Sequence, residues 1–361
     1  MNRNSAGREL AVDSPLPLAA KKVPTDAPLG HTLAVTRYFT HQVAALVIAA
    51  TVAVSAQQRQ PAASAGSGFK APRTPWGEPD LQGTWPSGPL MTIPFERPPD
   101  MGTRATLTDE EAEARNAAIA AAVSTPAPPQ AFLQPFWNEY GRAPALTSLI
   151  ADPANGRLPD MTPDGTRRAR EWQTKAAPTY QYASPQDMRP YDRCITRGVL
   201  GSAFPNVYSS GMQIHQAPGV VVVRHEMIHE ARVIVLERPH LGAAIKSYMG
   251  DPRGRWEGDT LVVETTNFNG LTGSYARNGD GNPTSVALRL IERFRLIDAD
   301  TLQYEVRVDD PQTWVRPWTV AFPVRRDEGY VIYEYACHEG NYAMRHVLSA
   351  ARASERPRTP D

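Results

Sequence analysis

The chain has no excess of either charge, because its 38 lysine and arginine residues are matched by 38 aspartate and glutamate residues. Nucleic-acid-binding domains usually carry a basic face, and blocks of like charge usually form interaction tails. Neither feature is present. The composition therefore gives no reason to expect nucleic acid as a partner, and a small-molecule ligand is expected instead.

Long hydrophobic runs are also scarce, and residues 43–54 form the one strongly apolar stretch. Twelve residues are too few to span a bilayer as a helix, which needs about 20. They match the apolar core of a signal peptide, since Arg37 precedes them and the small residues Val54 and Ala56 lie at their end. We therefore expect a periplasmic or secreted protein, with cleavage near Ala56 and no membrane span in the mature chain.

The segment ahead of this run is long for a signal peptide. Residues 1–34 are mostly polar, whereas signal peptides usually begin within a few residues of the apolar core. A translation start nearer Val35 would explain the difference. The alternative is an uncleaved signal anchor.

Cysteine occurs only twice, as Cys194 and Cys337. Two cysteines in an exported protein usually pair, and a bridge that closes so long a loop stabilises by about 4–5 kcal/mol in the chain-entropy model. We therefore predict a disulfide. The alternative is a nucleophilic thiol at Cys337 beside His338, for which no third, orienting residue can be assigned.

Residues 225–229 match the zinc-protease signature His-Glu-x-x-His, with His225, Glu226 and His229 as its functional members. The signature works on a helix, where side chains four residues apart lie on one face. Here β-branched runs flank it on both sides and predict two strands of a hairpin. On a strand the two histidines would be about 13 Å apart, too far to share one ion. A zinc metallopeptidase is therefore the disfavoured alternative.

The rest of the chain divides by composition. After the N-terminal extension and signal peptide, residues 1–56, residues 57–75 have a disordered linker composition, and residues 76–190 form a proline-rich wrapping segment. In that segment a capping box at Thr108 and Glu111 predicts a helix to about residue 123, and a second helix is expected near residue 163. Residues 351–361 are expected to be a disordered tail.

Residues 191–350 are dominated by alternation of apolar and polar side chains. The clearest examples are residues 288–296 and 302–309, joined by a tight turn at residues 298–300. Eight or nine consecutive strands without an intervening helix predict an antiparallel up-and-down β-barrel of the lipocalin type. A β-sandwich is the alternative.

Five motifs, one in the wrapping segment and four in residues 191–350, resemble those of a family of exported bacterial proteins without an assigned function. They are PDLQGTW at residues 79–85, RCITRG at 193–198, EMIH at 226–229, GRWEGDTLVVET at 254–265 and YEYACHEGNY at 333–342. The resemblance spans residues 76–350. It implies export and a single ancestral unit, and it transfers no catalytic residue.

Strand parity selects candidate catalytic residues inside the predicted barrel. His229 shares a face with apolar residues, as expected of a histidine that points into a cavity. The predicted closing strand, residues 331–337, would bring His338 or Glu339 towards it. A histidine and a carboxylate across a half-buried cavity can act as a general acid–base pair. The alternatives are a core histidine bonded to a backbone carbonyl and a structural ion pair with an arginine.

Other polar and aromatic residues of the barrel are candidates for binding the ligand. Buried polar groups must be paired or must bind something, and aromatic and amide groups commonly line sites for sugars or ring-shaped ligands. The candidates are Glu226, His240, Trp256, Asn267 and Tyr335. The sequence indicates no cofactor and no oligomeric state.

A metal site is not assigned. His229, His240, His338 and Glu339 could supply ligands, but no pair among them has ligand spacing. Two functions therefore stay open. One is an acid–base enzyme that eliminates, isomerises or hydrolyses a small polar metabolite such as a sugar derivative, and the other is a noncatalytic, lipocalin-like carrier.

Overall fold

Ten β-strands form one sheet in the computed structural model of the chain, which describes residues 68–125, 139–177, 180–273 and 281–355. The predicted signal peptide, its cleavage site and most of the predicted linker lie outside these residues. The strands are β1 (Gly83–Thr84), β2 (Ile150–Asp152), β3 (Met212–Ala217), β4 (Val220–His225), β5 (Ala231–Leu236), β6 (Asp251–Glu257), β7 (Thr260–Thr266), β8 (Arg289–Asp298), β9 (Thr301–Asp309) and β10 (Trp318–Arg325).

The strand order is β1-β3-β4-β5-β6-β7-β8-β9-β10-β2, and the sheet curls into a half-barrel. The prediction of a mainly β fold is confirmed. The sheet differs from an up-and-down antiparallel barrel in two ways, since β1 and β2 end it without pairing to each other and β5 runs parallel to β6. It also differs from a sandwich, because all ten strands belong to one sheet.

The parallel pair has a clear cause in the connection between its strands. Val235 is opposite Arg253. Residues 237–250 carry the chain back to the end of the sheet at which β5 begins, so that β6 runs in the same direction. A crossover of about a dozen residues or more is what a parallel connection requires. The other eight pairs are antiparallel.

The wrapping segment supplies both edges of the sheet. β1 pairs with β3, and β2 pairs with β10. Leu81, Trp85, Phe95 and Ile150 from this segment lie in the hydrophobic core with the inward side chains of the later strands. The segment is thus part of the sheet and core as well as a covering.

Among the described residues, four α-helices lie outside the sheet: α1 (Asp109–Ser124), α2 (Pro163–Ala176), α3 (Gly198–Ala203) and α4 (Ala343–Ser354). The capping box of α1 forms as predicted between Thr108 and Glu111, and Thr162 caps α2. Helices α3 and α4 were not predicted from the sequence, because strand-like alternation dominates residues 191–350. Since α4 continues through Ser354, the first residues of the predicted disordered tail are helical.

Residues 68–75, at the end of the predicted linker, have a defined placement in the structure. Ala71 is buried, and Arg73 pairs with Asp259 across the end of the β6–β7 hairpin. The last residues of the predicted linker, from 68 to 75, therefore contact the folded part of the chain.

A buried ion pair shows how strongly the sheet curves. Arg232 on β5 donates two hydrogen bonds to Glu292 on β8, at 2.7 and 2.8 Å, and Tyr304 on β9 donates a third at 3.0 Å. β5 and β8 are three positions apart, which would be about 14 Å in a flat sheet. The contact therefore crosses the concave face.

The concave face is filled by side chains. Trp85, Trp318, Tyr304 and Phe322 are buried there. A cavity lined by Trp85, Tyr304, Phe322 and His225, among others, measures about 10 Å³. That volume holds about one water molecule, whereas ligand sites usually measure some 300–1,000 Å³. The predicted lipocalin-like use of the interior is therefore not supported by this cavity.

Candidate functional site

The His-Glu-x-x-His segment forms no helix. β4 and β5 pair as the predicted antiparallel hairpin, and Met227–His229 form a 3₁₀ turn between them, with φ of 58° at Ile228 and 45° at His229. His225 is buried, whereas His229 is exposed. The geometry of the zinc-protease signature is absent. No group of three or more potential metal ligands occurs within the part of the chain that the structure describes.

The predicted catalytic residues lie on the surface. His229, His338 and Glu339 are all exposed, so the expectation that His229 points into a cavity is wrong. Its Nδ1 lies 2.9 Å from the carbonyl oxygen of Tyr335. Among the described residues, no hydrogen bond joins His229 to His338 or Glu339.

The predicted closing strand, residues 331–337, is not a strand. Its alternating pattern finds no partner because β1 and β2, from the wrapping segment, occupy the places beside β3 and β10. The segment instead crosses the β4–β5 turn, where Cys337 is bonded to Cys194 with 5.6 Å between their Cα atoms. The predicted disulfide is present in the structure.

The five predicted ligand-binding residues fall into separate places. Glu226 is buried under the segment that contains Tyr335, and Trp256 packs against the hydrophobic core. His240 and Asn267 lie together, since Asn267 Nδ2 donates to the carbonyl of Leu241 at 3.1 Å. Of the five, His240 lies at an open cleft.

His240 forms a dyad with Asp251. Its Nδ1 lies 3.1 Å from Asp251 Oδ2, and the hydroxyl of Thr266 lies 3.3 Å from the same nitrogen. Asp251 begins β6 opposite Thr266 of β7, and the crossover loop carries His240 back over it. The parallel connection between β5 and β6 thus places the two side chains together.

The carboxylate is held firmly by its surroundings. Asp251 is buried, accepts the Leu241 N–H at 2.8 Å and pairs with Arg253 at 2.6 Å. Arg253 Nε also donates to the carbonyl of Pro239 at 2.8 Å. One guanidinium therefore fixes both the carboxylate and the loop on which His240 lies.

This arrangement sets the tautomer of His240. An ionised carboxylate only accepts hydrogen bonds, so the proton of the neutral imidazole is on Nδ1 and Nε2 keeps its lone pair. The side chain of His240 is 28% exposed, and no hydrogen bond to Nε2 occurs among the described residues. Nε2 is free to accept a proton from a bound molecule.

The imidazole lines an open cleft of about 230 Å³ on the convex side of the sheet. The cleft is also lined by Glu237, Arg238, Arg253, Arg255 and Glu264. Arg255 shares Glu257 with Arg293, at 2.6 and 2.9 Å, so two guanidiniums there face one carboxylate.

Cationic groups outnumber anionic ones at this cleft by one. Glu264 is paired with Arg289, and that hydrogen bond is the largest cause of the lowered pKa of Glu264. The charged residues that line the cleft are three arginines, Arg238, Arg253 and Arg255, and two acids, Glu237 and Glu264. Arg238 is exposed and has no ion-pair partner among the described residues.

The sequence reasoning found His240 and Asn267 but missed Asp251, Arg253 and Arg238. A signal for two of them was present. Asp251 and Arg253 share one parity of β6, and Pro252, Gly254 and Trp256 occupy the other, which places the two charged residues on one face.

A second histidine, His225, lies in the interior. Burial is the largest cause of its lowered pKa, followed by the nearby positive charges of Arg232 and Arg197, and together they bring it to about 3. Ser202, Ser210 and Tyr304 line the small cavity beside it. This histidine stays neutral, and we assign it to the core.

No described helix is both long and apolar enough to cross a membrane. Comparison of the chain with models of known protein families, with curated proteins and with solved structures finds no match.

Proposed function

We propose that the chain is an exported acid–base enzyme that binds a small anionic or polar metabolite in the cleft beside His240. The observation that carries the proposal is the His240–Asp251 dyad, whose free Nε2 lines an open cleft with a surplus of guanidinium groups. An oriented histidine with an available nitrogen is the usual general base.

Each residue has a distinct role in this proposal. Asp251 fixes the tautomer and stabilises the imidazolium that forms when Nε2 takes a proton. Arg238 and Arg255 bind an anionic group of the substrate and stabilise negative charge that develops during proton removal. Elimination, isomerisation and hydrolysis all begin with such a proton transfer.

Export to an oxidising compartment is part of the same proposal. The predicted signal peptide supports export, and the Cys194–Cys337 disulfide is typical of an oxidising compartment. The resemblance to exported bacterial proteins points the same way.

A ligand screen tests the proposal. Small carboxylates, phosphates and sugar acids should raise the melting temperature of the protein more than neutral compounds of similar size do. A ligand at about 100 times its Kd adds roughly 2.7 kcal/mol of stability. Compounds that bind would then be followed for turnover.

Two variants separate binding from catalysis. Arg238→Gln should weaken binding about tenfold, as expected for loss of a charge-assisted contact, and His240→Gln should lower kcat about 100-fold or more with a smaller effect on Kd. Arg345→Gln, at an exposed position on α4, is the matched control. Hits that bind and react equally well with both site variants would refute the assignment.

A further inference from the structure

Residues 326–342 connect β10 to α4 without forming a helix or a strand. We call residues 329–342 the strap. None of its residues is fully buried, and Val331 and Tyr333 are 60% and 71% exposed. The strap contributes no side chain to the hydrophobic core. Burial of apolar surface therefore holds it weakly.

Polar contacts fasten the strap to the β4–β5 turn. The Tyr330 hydroxyl lies 2.7 Å from Glu226 Oε2, and the Tyr333 N–H donates to Glu226 Oε1 at 3.3 Å. His229 Nδ1 lies 2.9 Å from the Tyr335 carbonyl oxygen. These contacts cover the turn, and Glu226 is only 4% exposed.

A second carboxylate also meets the Tyr330 hydroxyl, since Glu139 Oε2 lies 3.0 Å from it. The other partners of Glu139 are the N–H groups of Ser209 and Ser210 and the Ser210 hydroxyl. Glu139 is therefore held by the body of the protein with or without the strap. A phenol has one proton to donate, so it cannot bond fully to both carboxylates.

Apart from the backbone at its two ends, the disulfide is the one covalent attachment between the described body and the strap. Cys337 lies on the strap, and Cys194 lies 143 residues earlier in the body of the protein. Cys194 is buried, whereas Cys337 is half-buried between the exposed residues Ala336 and His338. A reductant can therefore approach the bond from the strap side.

We propose that the strap is a redox-released cover of the β4–β5 turn. An exported dithiol attacks the Cys337 sulfur, and the Cys194 sulfur leaves as a thiolate. The second thiol of the reductant then resolves the mixed disulfide. Two electrons and two protons pass to the chain, which ends with two thiols, and the dithiol ends as a disulfide. The strap then leaves the turn, and Glu226 becomes accessible.

Hydrogen exchange of the full chain tests this proposal, measured by mass spectrometry with and without a phosphine reductant. After reduction, amides of residues 329–342 should exchange at least tenfold faster, and the Tyr333 amide reports the loss of Glu226 most directly. Amides of β8 and β9 should change less than twofold.

The Cys194→Ser/Cys337→Ser variant is the second arm. It should show the fast strap exchange without reductant and no further change when reductant is added. Two outcomes would overturn the proposal. One is unchanged strap exchange in protein whose mass shows two free thiols, and the other is an equal acceleration throughout β8 and β9, which would mean that the disulfide supports the whole fold.

Discussion

Replacing Arg232 by methionine should lower the free energy of unfolding by about 3–5 kcal/mol, because it leaves the Glu292 carboxylate buried without its countercharge. Arg232 and Glu292 are 3% and 0% exposed, and their two hydrogen bonds cross the concave face. Only the Tyr304 hydroxyl would still donate to Glu292 among its described partners. Urea denaturation of the oxidised protein measures the effect.

The neighbouring residue on β8 supplies the control. Arg293 pairs with Glu257 at 2.9 Å, but both side chains are partly exposed, so Arg293→Met should cost less than about 1 kcal/mol. The double variant Arg232→Met/Glu292→Met should recover most of the lost stability, since it removes the unpaired charge. A loss of less than 1 kcal/mol in Arg232→Met would contradict the buried pair.

Acid should destabilise the protein through His225. Its pKa is about 3 in the folded chain and 6.5 ordinarily, chiefly because of burial. Between these values the unfolded chain binds a proton that the folded chain does not bind. Stability is therefore fully present above pH 6.5 and is lost as pH falls towards 3, by about 1.4 kcal/mol per pH unit and on the order of 4–5 kcal/mol in all.

The comparison with His225→Gln isolates this contribution. The partly buried Glu230 has a raised pKa, mainly from desolvation, so its contribution is lost as pH rises and opposes that of His225. Subtracting the unfolding free energies of the variant from those of the parent, at each pH from 7 to 4, removes it. His215→Gln, at an exposed position on β3, is the matched control. A difference that stays constant with pH would show that His225 has the same pKa in the folded chain as in the unfolded chain.

The local sequence pattern was sufficient to predict those parts of the fold in which the interacting residues are close in sequence. Alternation placed β8 and β9 together with their short turn, and the β-branched runs placed the β4–β5 hairpin. The capping box at Thr108 fixed the start of α1. In each case the interaction that decides the structure lies within a few residues.

The rest of the fold depends on strand pairing between segments that are distant in sequence. Residues 331–337 alternate like a strand, but β1 already pairs with β3 and β2 with β10, so no edge strand of the later sheet is left for them. The parallel pairing of β5 with β6 depends on the path of residues 237–250, which carry no periodic signal. The prediction of a closed barrel was therefore wrong, although most of the strands on which it rested are present in the structure.

Prediction of the candidate site from the sequence was limited for the same reason. His240 could be selected as a polar residue, but its partner Asp251 lies across a crossover loop that only the fold defines. His229 was placed inward by strand parity, and the turn at Ile228, with φ of 58°, breaks that parity. Parity arguments hold only while the backbone stays extended.

The tautomer of His240 is the most direct test of the proposed site. A long-range ¹H–¹⁵N correlation spectrum of protein labelled at histidine, recorded with the neutral imidazole, identifies which ring nitrogen carries the proton. The dyad predicts that Nδ1 is protonated and Nε2 is not, and that Asp251→Asn changes this distribution. A proton on Nε2 of the parent protein would contradict the role of His240 as a general base in the cleft.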